Sequence, residues 1–187
     1  MEIRPLEIAD VKLIIPRIYR DGRGFFSETY NRRAMSAAGV GAEFVQDNHS
    51  LSAAAGTIRG LHYQLPPYAQ GKLMRVIRGS LLDVAVDIRA GSPTFGQHVS
   101  ATLSAGDWTQ IWIPPGFAHG YCTLEPNTEV IYKVTEYYAP DFERGILWDD
   151  ADLGIDWPVA SDRATLSEKD LKNPLLRDVE SPFEYSA

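Results

Sequence analysis

The sequence predicts an all-β fold, a sandwich or barrel of the small double-sheet jelly-roll kind, with a few short helices. Three observations predict it. Strand-like runs recur at short spacing and are broken by Gly and Pro. Helical patterning is scarce, with one early stretch from Asn31 to Ala38 and a single turn near Leu166. The run Thr109-Gln-Ile-Trp-Ile-Pro-Pro-Gly-Phe-Ala-His-Gly-Tyr-Cys-Thr-Leu124 reads as a strand, a Pro-Gly turn and a strand, which suits a double-sheet roll. No internal repeat or low-complexity linker divides the chain, so one domain is expected over residues 1–187.

Taken in order, Lys12-Leu-Ile-Ile-Pro16 is a short strand stopped by proline. The turn Asp21-Gly-Arg-Gly24 leads into an aromatic strand in which Arg23 and Glu28 flank Phe25 and Phe26. Asn31 is an N-cap for the helix that follows, and Gly39 and Gly41 stop it. Glu43 to Ser52 is a strand. Gln46 and Asn48 share one of its faces, and Asp47 and His49 the other. Ser80 to Arg89 is apolar enough for a buried strand, with Asp83 and Asp87 on one face. A buried Asp needs a partner, and His62 or an arginine is expected to serve. Gln97 to Leu103 and Thr128 to Glu136 are further strands, the second carrying Tyr132 and Lys133 on opposite faces. Leu166 to Lys172 forms one helical turn capped by Ser167, with Asp170 three residues on. The tail from Pro174 to Ala187 is expected to run extended along the body or to fray.

Bulk properties exclude several classes. The net charge of −7 opposes a nucleic-acid binder, which needs a basic face. No apolar run spans a bilayer, and the polar opening Met1-Glu-Ile-Arg-Pro is no signal peptide. The single Cys122 cannot form an internal disulfide, which fits a reducing cytoplasm. Among His49, His62, His98 and His119 there is no H-x-H pair, and His119 with Cys122 alone does not make a zinc site. Neither a metal nor a cofactor is expected, since G-x-S-x-G, P-loop and G-x-G-x-x-G motifs are also missing.

The stretch Thr57-Ile-Arg-Gly-Leu-His-Tyr-Gln-Leu-Pro-Pro-Tyr-Ala-Gln-Gly-Lys72 carries the chemistry. It sets two cations, Arg59 and Lys72, around His62. Straight alternation would put Arg59 and His62 on opposite faces, but Gly60 between them marks a bulge that can re-aim a side chain. A cationic site with an imidazole suits an anionic substrate from which a proton is moved. In isolation the same residues read more readily as solvated edge charges and a satisfied core histidine.

The chain as a whole resembles one family. The matching pieces are Asp21-Gly-Arg-Gly-Phe-Phe, Phe44-Val-Gln-Asp-Asn-His-Ser, Arg59-Gly-Leu-His-Tyr-Gln, Pro66-Pro-Tyr-Ala-Gln-Gly-Lys72, Asp83-Val-Ala-Val-Asp-Ile-Arg89, Trp112-Ile-Pro-Pro-Gly-Phe-Ala-His-Gly120 and Leu166-Ser-Glu-Lys-Asp170. Together they span nearly the whole chain and resemble the dTDP-4-dehydrorhamnose 3,5-epimerases, a metal-free branch of the cupin jelly rolls (double-stranded β-helices). The resemblance implies a dTDP-sugar substrate, dTDP-4-dehydro-6-deoxy-glucose, whose carbons 3 and 5 both flank a ketone. It implies His62 as base with Asp170 orienting it, Lys72 stabilising the enolate oxygen, and Tyr132 as proton donor on the far face. Arg23 and Arg59 would hold the pyrophosphate, and His119 would touch the phosphates or the sugar. Phe26, Glu28, Gln46 and Asn48 would contact substrate, Tyr138 would stack on thymine, and Glu143 and Lys169 are carried over without a defined role. The resemblance also implies a homodimer whose N-terminal segment crosses to the partner, so that Arg23 and Glu28 complete the neighbouring site. Two other readings stay open on sequence: a single-site epimerase or ketoisomerase on a related dTDP-sugar, and a non-catalytic dTDP-sugar-binding jelly roll.

Overall fold

The computed structural model describes residues 1–186. Thirteen strands and one short α-helix form in chain order. They are β1 (Glu2–Pro5), β2 (Lys12–Ile15), β3 (Ile18–Asp21), β4 (Gly24–Ser27), α1 (Arg32–Ala37), β5 (Gln46–Ser52), β6 (Ile58–Gln64), β7 (Lys72–Arg78), β8 (Ser80–Asp87), β9 (His98–Ser104), β10 (Gln110–Ile113), β11 (Phe117–Thr123), β12 (Thr128–Val134) and β13 (Glu143–Gly145). Two sheets face each other. One has the order β1-β2-β10-β7-β12-β5, the other β13-β6-β11-β8-β9, and β3 pairs only with β4 in a separate hairpin. The pairing within both large sheets is antiparallel. This is the expected double-sheet jelly roll, and non-sequential neighbours such as β10-β7 and β6-β11 are its crossovers.

Period-2 alternation explains how the sheets bury both faces. Along β8, Leu81 and Ala85 point into a cluster between the sheets with Met74, Val76, Leu103, Ile111, Phe117 and Val130. Val84 and Val86 point the other way, onto the outer face of the five-stranded sheet. That face is covered by the C-terminal third, through Ile146, Trp148, Leu153, Trp157 and Leu176. The stretch from Ala151 to Arg163, silent in sequence, is thus cover for the sheet, and the Trp157 indole N–H donates to the Trp148 carbonyl at 2.7 Å. The six-stranded sheet is covered by α1, whose Met35 packs with Ile14, Val40, Leu73 and Trp112.

The helix begins where its cap dictates: the Asn31 side chain accepts from the Ala34 amide at 3.1 Å. β5 starts later than expected because Phe44 turns into the aromatic group of Tyr30 and Trp112 instead of continuing the ladder. The tail is tied down by a parallel bridge between Ala90 and Glu184 and includes a 3-10 turn, Leu176–Asp178, so it is not uniformly extended. Asp87 and Arg89 form a structural pair, joined through Nη2 at 2.7 Å. Ser92 and Thr94 also donate to Asp87, each at 2.6 Å. Among the described residues, no helix is long and apolar enough to cross a membrane.

Candidate active site

Between the sheets, beyond the apolar cluster, the roll opens into a cavity of about 660 Å³. That is within the usual range for a small-molecule site, about 300–1,000 Å³. Its walls come from both sheets and from the tail. β6 contributes Arg59 and His62, β11 His119 and Tyr121, β5 Gln46, Asn48 and Ser50, β7 Lys72 and Met74, and β12 Tyr132. Tyr138, Glu143, Lys169 and Asp170 close one side.

The bulge at Gly60 decides the geometry of β6. The β6–β11 ladder shifts register between His119 and Tyr121. Gly60 has φ +124°, and a Cβ there would lie 2.6 Å from the Gly120 Cα. Two glycines therefore let the strands meet where side chains would hold them apart. The consequence is that Arg59 and His62, which strict alternation separates, both reach the cavity. The Arg59 guanidinium is held from behind: Nε donates to the Ser52 hydroxyl and Nη2 to the Leu51 carbonyl, each at 3.1 Å.

His62 Nε2 lies 2.5 Å from Asp170 Oδ1. The carboxylate arrives on the short turn Asp170–Lys172, whose Asp170 amide donates to the Ser167 hydroxyl at 3.2 Å. Burial acts to raise the Asp170 pKa, but the hydrogen bonds from His62, Ser167 and the Gly60 backbone outweigh it and hold the group below its ordinary value. Because a carboxylate only accepts, Nε2 carries the proton in the neutral ring and Nδ1 keeps its lone pair.

Opposite this pair, burial drives the Lys72 pKa down to about 8, despite the attraction of Asp83 and Glu143. Tyr132 is a neutral phenol over a wide pH range, since burial pushes its pKa up, with Tyr121 adding to the effect and Arg59 opposing it. Near the mouth, Glu143 Oε2 accepts from the Tyr138 hydroxyl at 2.7 Å and pairs with Lys169 Nζ at 2.5 Å. Burial would raise the Glu143 pKa, but these two partners more than offset it. Gln46 Nε2 donates to Asn48 Oδ1 at 2.8 Å, and Gln46 Oε1 accepts from the Tyr138 amide, so the amide pair braces the Tyr138 backbone.

One expectation is corrected. The partner of buried Asp83 is neither His62 nor an arginine but His119, with Nε2 2.9 Å from Oδ2. Register explains it: β11 lies between β6 and β8, so a β8 side chain meets β11 first. Arg23, Phe26 and Glu28 do not line the cavity of their own chain. They sit on or beside the self-paired β3–β4 hairpin, where Arg23 Nη2 bonds Asp21 at 2.6 Å and Phe26 is 69% exposed. Ser50 and Tyr121, whose hydroxyls lie 3.2 Å apart, were not anticipated. The period-2 series Gln46, Asn48, Ser50 and the i, i+2 relation of Tyr121 to His119 could have found them. Among the described residues, no group of three His, Cys, Asp or Glu side chains gathers as a metal site would require.

A family model described as dTDP-4-dehydrorhamnose 3,5-epimerase matches residues 5–178. The chain belongs to the dTDP-4-dehydrorhamnose 3,5-epimerase family. It is an isomerase of this class. A Sinorhizobium fredii dTDP-4-dehydrorhamnose 3,5-epimerase is 50% identical over 185 residues, covering 99% of this chain and 94% of that protein. The crystal structure of a dTDP-6-deoxy-D-glucose-3,5-epimerase from Legionella pneumophila, in complex with dTDP-4-keto-L-rhamnose, superposes with a TM-score of 0.93 at 44% identity, covering 100% of this chain and 99% of that one. A Bacillus anthracis dTDP-4-dehydrorhamnose 3,5-epimerase with TDP and PPi bound gives a TM-score of 0.90 at 50% identity, covering 93% of this chain and 98% of that one.

Proposed function

We propose that the chain epimerises carbons 3 and 5 of dTDP-4-dehydro-6-deoxy-D-glucose, giving dTDP-4-dehydro-L-rhamnose. The observation that carries the reading is the His62–Asp170 pair at 2.5 Å, facing a cavity that Lys72 and Tyr132 enter from the other sheet. His62 Nδ1 takes a proton from a carbon beside the C4 ketone, and Asp170 stabilises the imidazolium that results. The electron pair moves onto the C4 oxygen, where the Lys72 ammonium offsets the developing charge. Tyr132 returns a proton from the opposite face. A phenol with a raised pKa stays protonated until the basic enolate forms.

The remaining side chains bind the nucleotide in this reading. Arg59 pairs with the pyrophosphate, as a braced planar cation suits. Tyr138, 54% exposed at the mouth, offers a stacking face for thymine. His119, Gln46, Asn48, Glu143 and Lys169 contact the sugar or the phosphates. The reading includes a homodimer in which the β3–β4 hairpin crosses to the neighbour, bringing Arg23, Phe26 and Glu28 to its pyrophosphate and base. The exposed Tyr19, Phe25 and Phe26 of a hairpin that pairs only with itself support this. It also includes a cytoplasmic location, which the lone buried thiol of Cys122 suits.

Proton NMR of the substrate in heavy water tests the reaction. Exchange at both C3 and C5, lost in His62→Ala and slowed in Tyr132→Phe, is the expected result. Exchange at one carbon moves the chain to a single-site epimerase, and dTDP binding without exchange leaves a binding protein. Gel filtration giving a fully active monomer would overturn the exchanged dimer.

A further inference from the structure

Tyr121 stands in the cavity wall, and no step of the proposed reaction uses it. It is 6% exposed, and its hydroxyl lies 3.2 Å from that of Ser50, which belongs to the facing sheet. Each hydroxyl carries one proton and two lone pairs. The bond between them spends one of the two protons. Among the described residues neither hydroxyl has a second partner. One O–H is therefore left over, in a wall that faces the cavity.

The position of this pair follows from β5. Asn48, Ser50 and Ser52 share the inward face of that strand, at steps of about 7 Å. The Ser52 hydroxyl accepts from Arg59 Nε, on the cation that pairs with the pyrophosphate in this reading. Asn48 is the cross-strand partner of Tyr132, which serves the reacting carbons. Ser50 stands between the two. Tyr121 reaches it from the other sheet, where it is the cross-strand partner of Arg59. On the sugar, C1 carries the diphosphate and C3 reacts, so the carbon between them is C2. Of the two ring hydroxyls, the one on C3 changes face when C3 inverts. The one on C2 keeps its place through both epimerisations, so it is the one that a donor fixed in the wall can hold throughout.

Resting on the epimerase reading, we propose that the Tyr121–Ser50 pair binds the C2 hydroxyl of the sugar and makes the enzyme selective for a 2-hydroxylated substrate over its 2-deoxy counterpart. The spare O–H donates to the C2 oxygen. The Tyr121 ring belongs to the apolar cluster that includes Val130 and Tyr132, so the hydroxyl is held by packing as well as by Ser50. A 2-deoxy sugar sets a methylene against that donor and leaves it unpaired, which is how a site built to bind a hydroxyl rejects an analogue lacking it. Neither residue moves a proton in this scheme. They determine specificity, and the chemistry stays with His62, Lys72 and Tyr132.

The test compares dTDP-4-dehydro-6-deoxy-D-glucose with its 2-deoxy analogue in wild type, Tyr121→Phe and Ser50→Ala. Deuterium entry in heavy water, followed by proton NMR, gives kcat/KM for each sugar, and calorimetry gives dTDP affinity. Wild type is expected to favour the hydroxylated sugar about 10–100-fold, the range set by one unpaired buried donor. Each variant is expected to cut that preference at least fivefold, with the loss falling on the hydroxylated sugar and dTDP affinity within about threefold of wild type. A wild type that treats both sugars alike, a preference unchanged in Tyr121→Phe, equal slowing of both sugars, or a large loss of dTDP affinity would each overturn the proposal. Tyr121→Phe removes a single oxygen; should Ser50→Ala fail to fold, as a circular-dichroism melt shows, Tyr121→Phe alone decides. Wild-type protein that exchanges no ring proton of either sugar is a separate outcome, which sinks the epimerase reading and this proposal with it.

Discussion

Replacing Lys72 by Met is expected to raise stability while it destroys activity. Burial in the cavity wall holds the Lys72 pKa at about 8 against an ordinary 10.5, even after the attraction of Asp83 and Glu143. That displacement corresponds to about 3 kcal/mol disfavouring the ammonium in the folded protein at neutral pH. The group faces an open cavity, and solvent there reduces the figure to about 2 kcal/mol. Met retains the apolar stem and removes the charge. For a chain of this size the gain is worth about 4–8 °C in Tm at pH 7. The sign has a pH signature. Between about 8 and 10.5 the unfolded chain holds the Lys72 proton and the folded one has lost it, so wild-type stability rises with pH through that window. The Tm gap between variant and wild type must therefore close from pH 8 to 10.5. Meanwhile kcat drops about 10²–10³-fold, as when one oxyanion-stabilising donor is removed. Differential scanning calorimetry at pH 7, 9 and 10, with NMR exchange kinetics, reads both effects. A variant less stable than wild type at pH 7, or a gap that does not close, would refute the argument that Lys72 is a strained cation kept for its charge.

Asp170→Asn leaves His62 without a charged acceptor; kcat is expected to fall about 10²–10⁴-fold with KM little changed, and an unaltered kcat would remove Asp170 from the mechanism. Gly60→Ala forces a side chain into φ +124° and to 2.6 Å from the Gly120 Cα. A loss of more than about 2 kcal/mol in urea unfolding is expected, and a near-neutral result would show that the bulge tolerates a Cβ. For Asp87, burial opposes ionisation, but Arg89, Ser92 and Thr94 hold its pKa at about 2 against an ordinary 3.8. It contributes about 2 kcal/mol that is fully present above pH 4 and lost as pH falls toward 2. Asp87→Asn should lower the urea midpoint at pH 7 and flatten the acid limb, and an unchanged acid limb would count against the pair.

What could be read in the sequence was local. Asn31 as a cap, Pro16 as a stop and the strands all depend on neighbours a few residues away. Asp170 was placed by its motif, and its contact with His62 spans 108 residues of chain. Propensity alone could not have found that. The partner of Asp83 was misjudged because it depends on which strand lies beside β8, and crossover order is set by the whole sheet. Gly60 was recognised as a possible bulge. Its effect, bringing Arg59 and His62 to one side, needed the matching Gly120 on the adjacent strand. The aromatic tail had no evident purpose until the bare outer face of the five-stranded sheet came into view.

The bond between His62 and Asp170 also sets a clock. The two residues are 108 apart in the chain, and synthesis at about 5–20 residues per second separates their emergence by about 5–20 s. During that interval β6 and the other strands can find one another while the imidazole still lacks its carboxylate. The strands are thus in place before the imidazole has its carboxylate, and in the proposed mechanism the segment that covers the sheet also completes the catalytic pair.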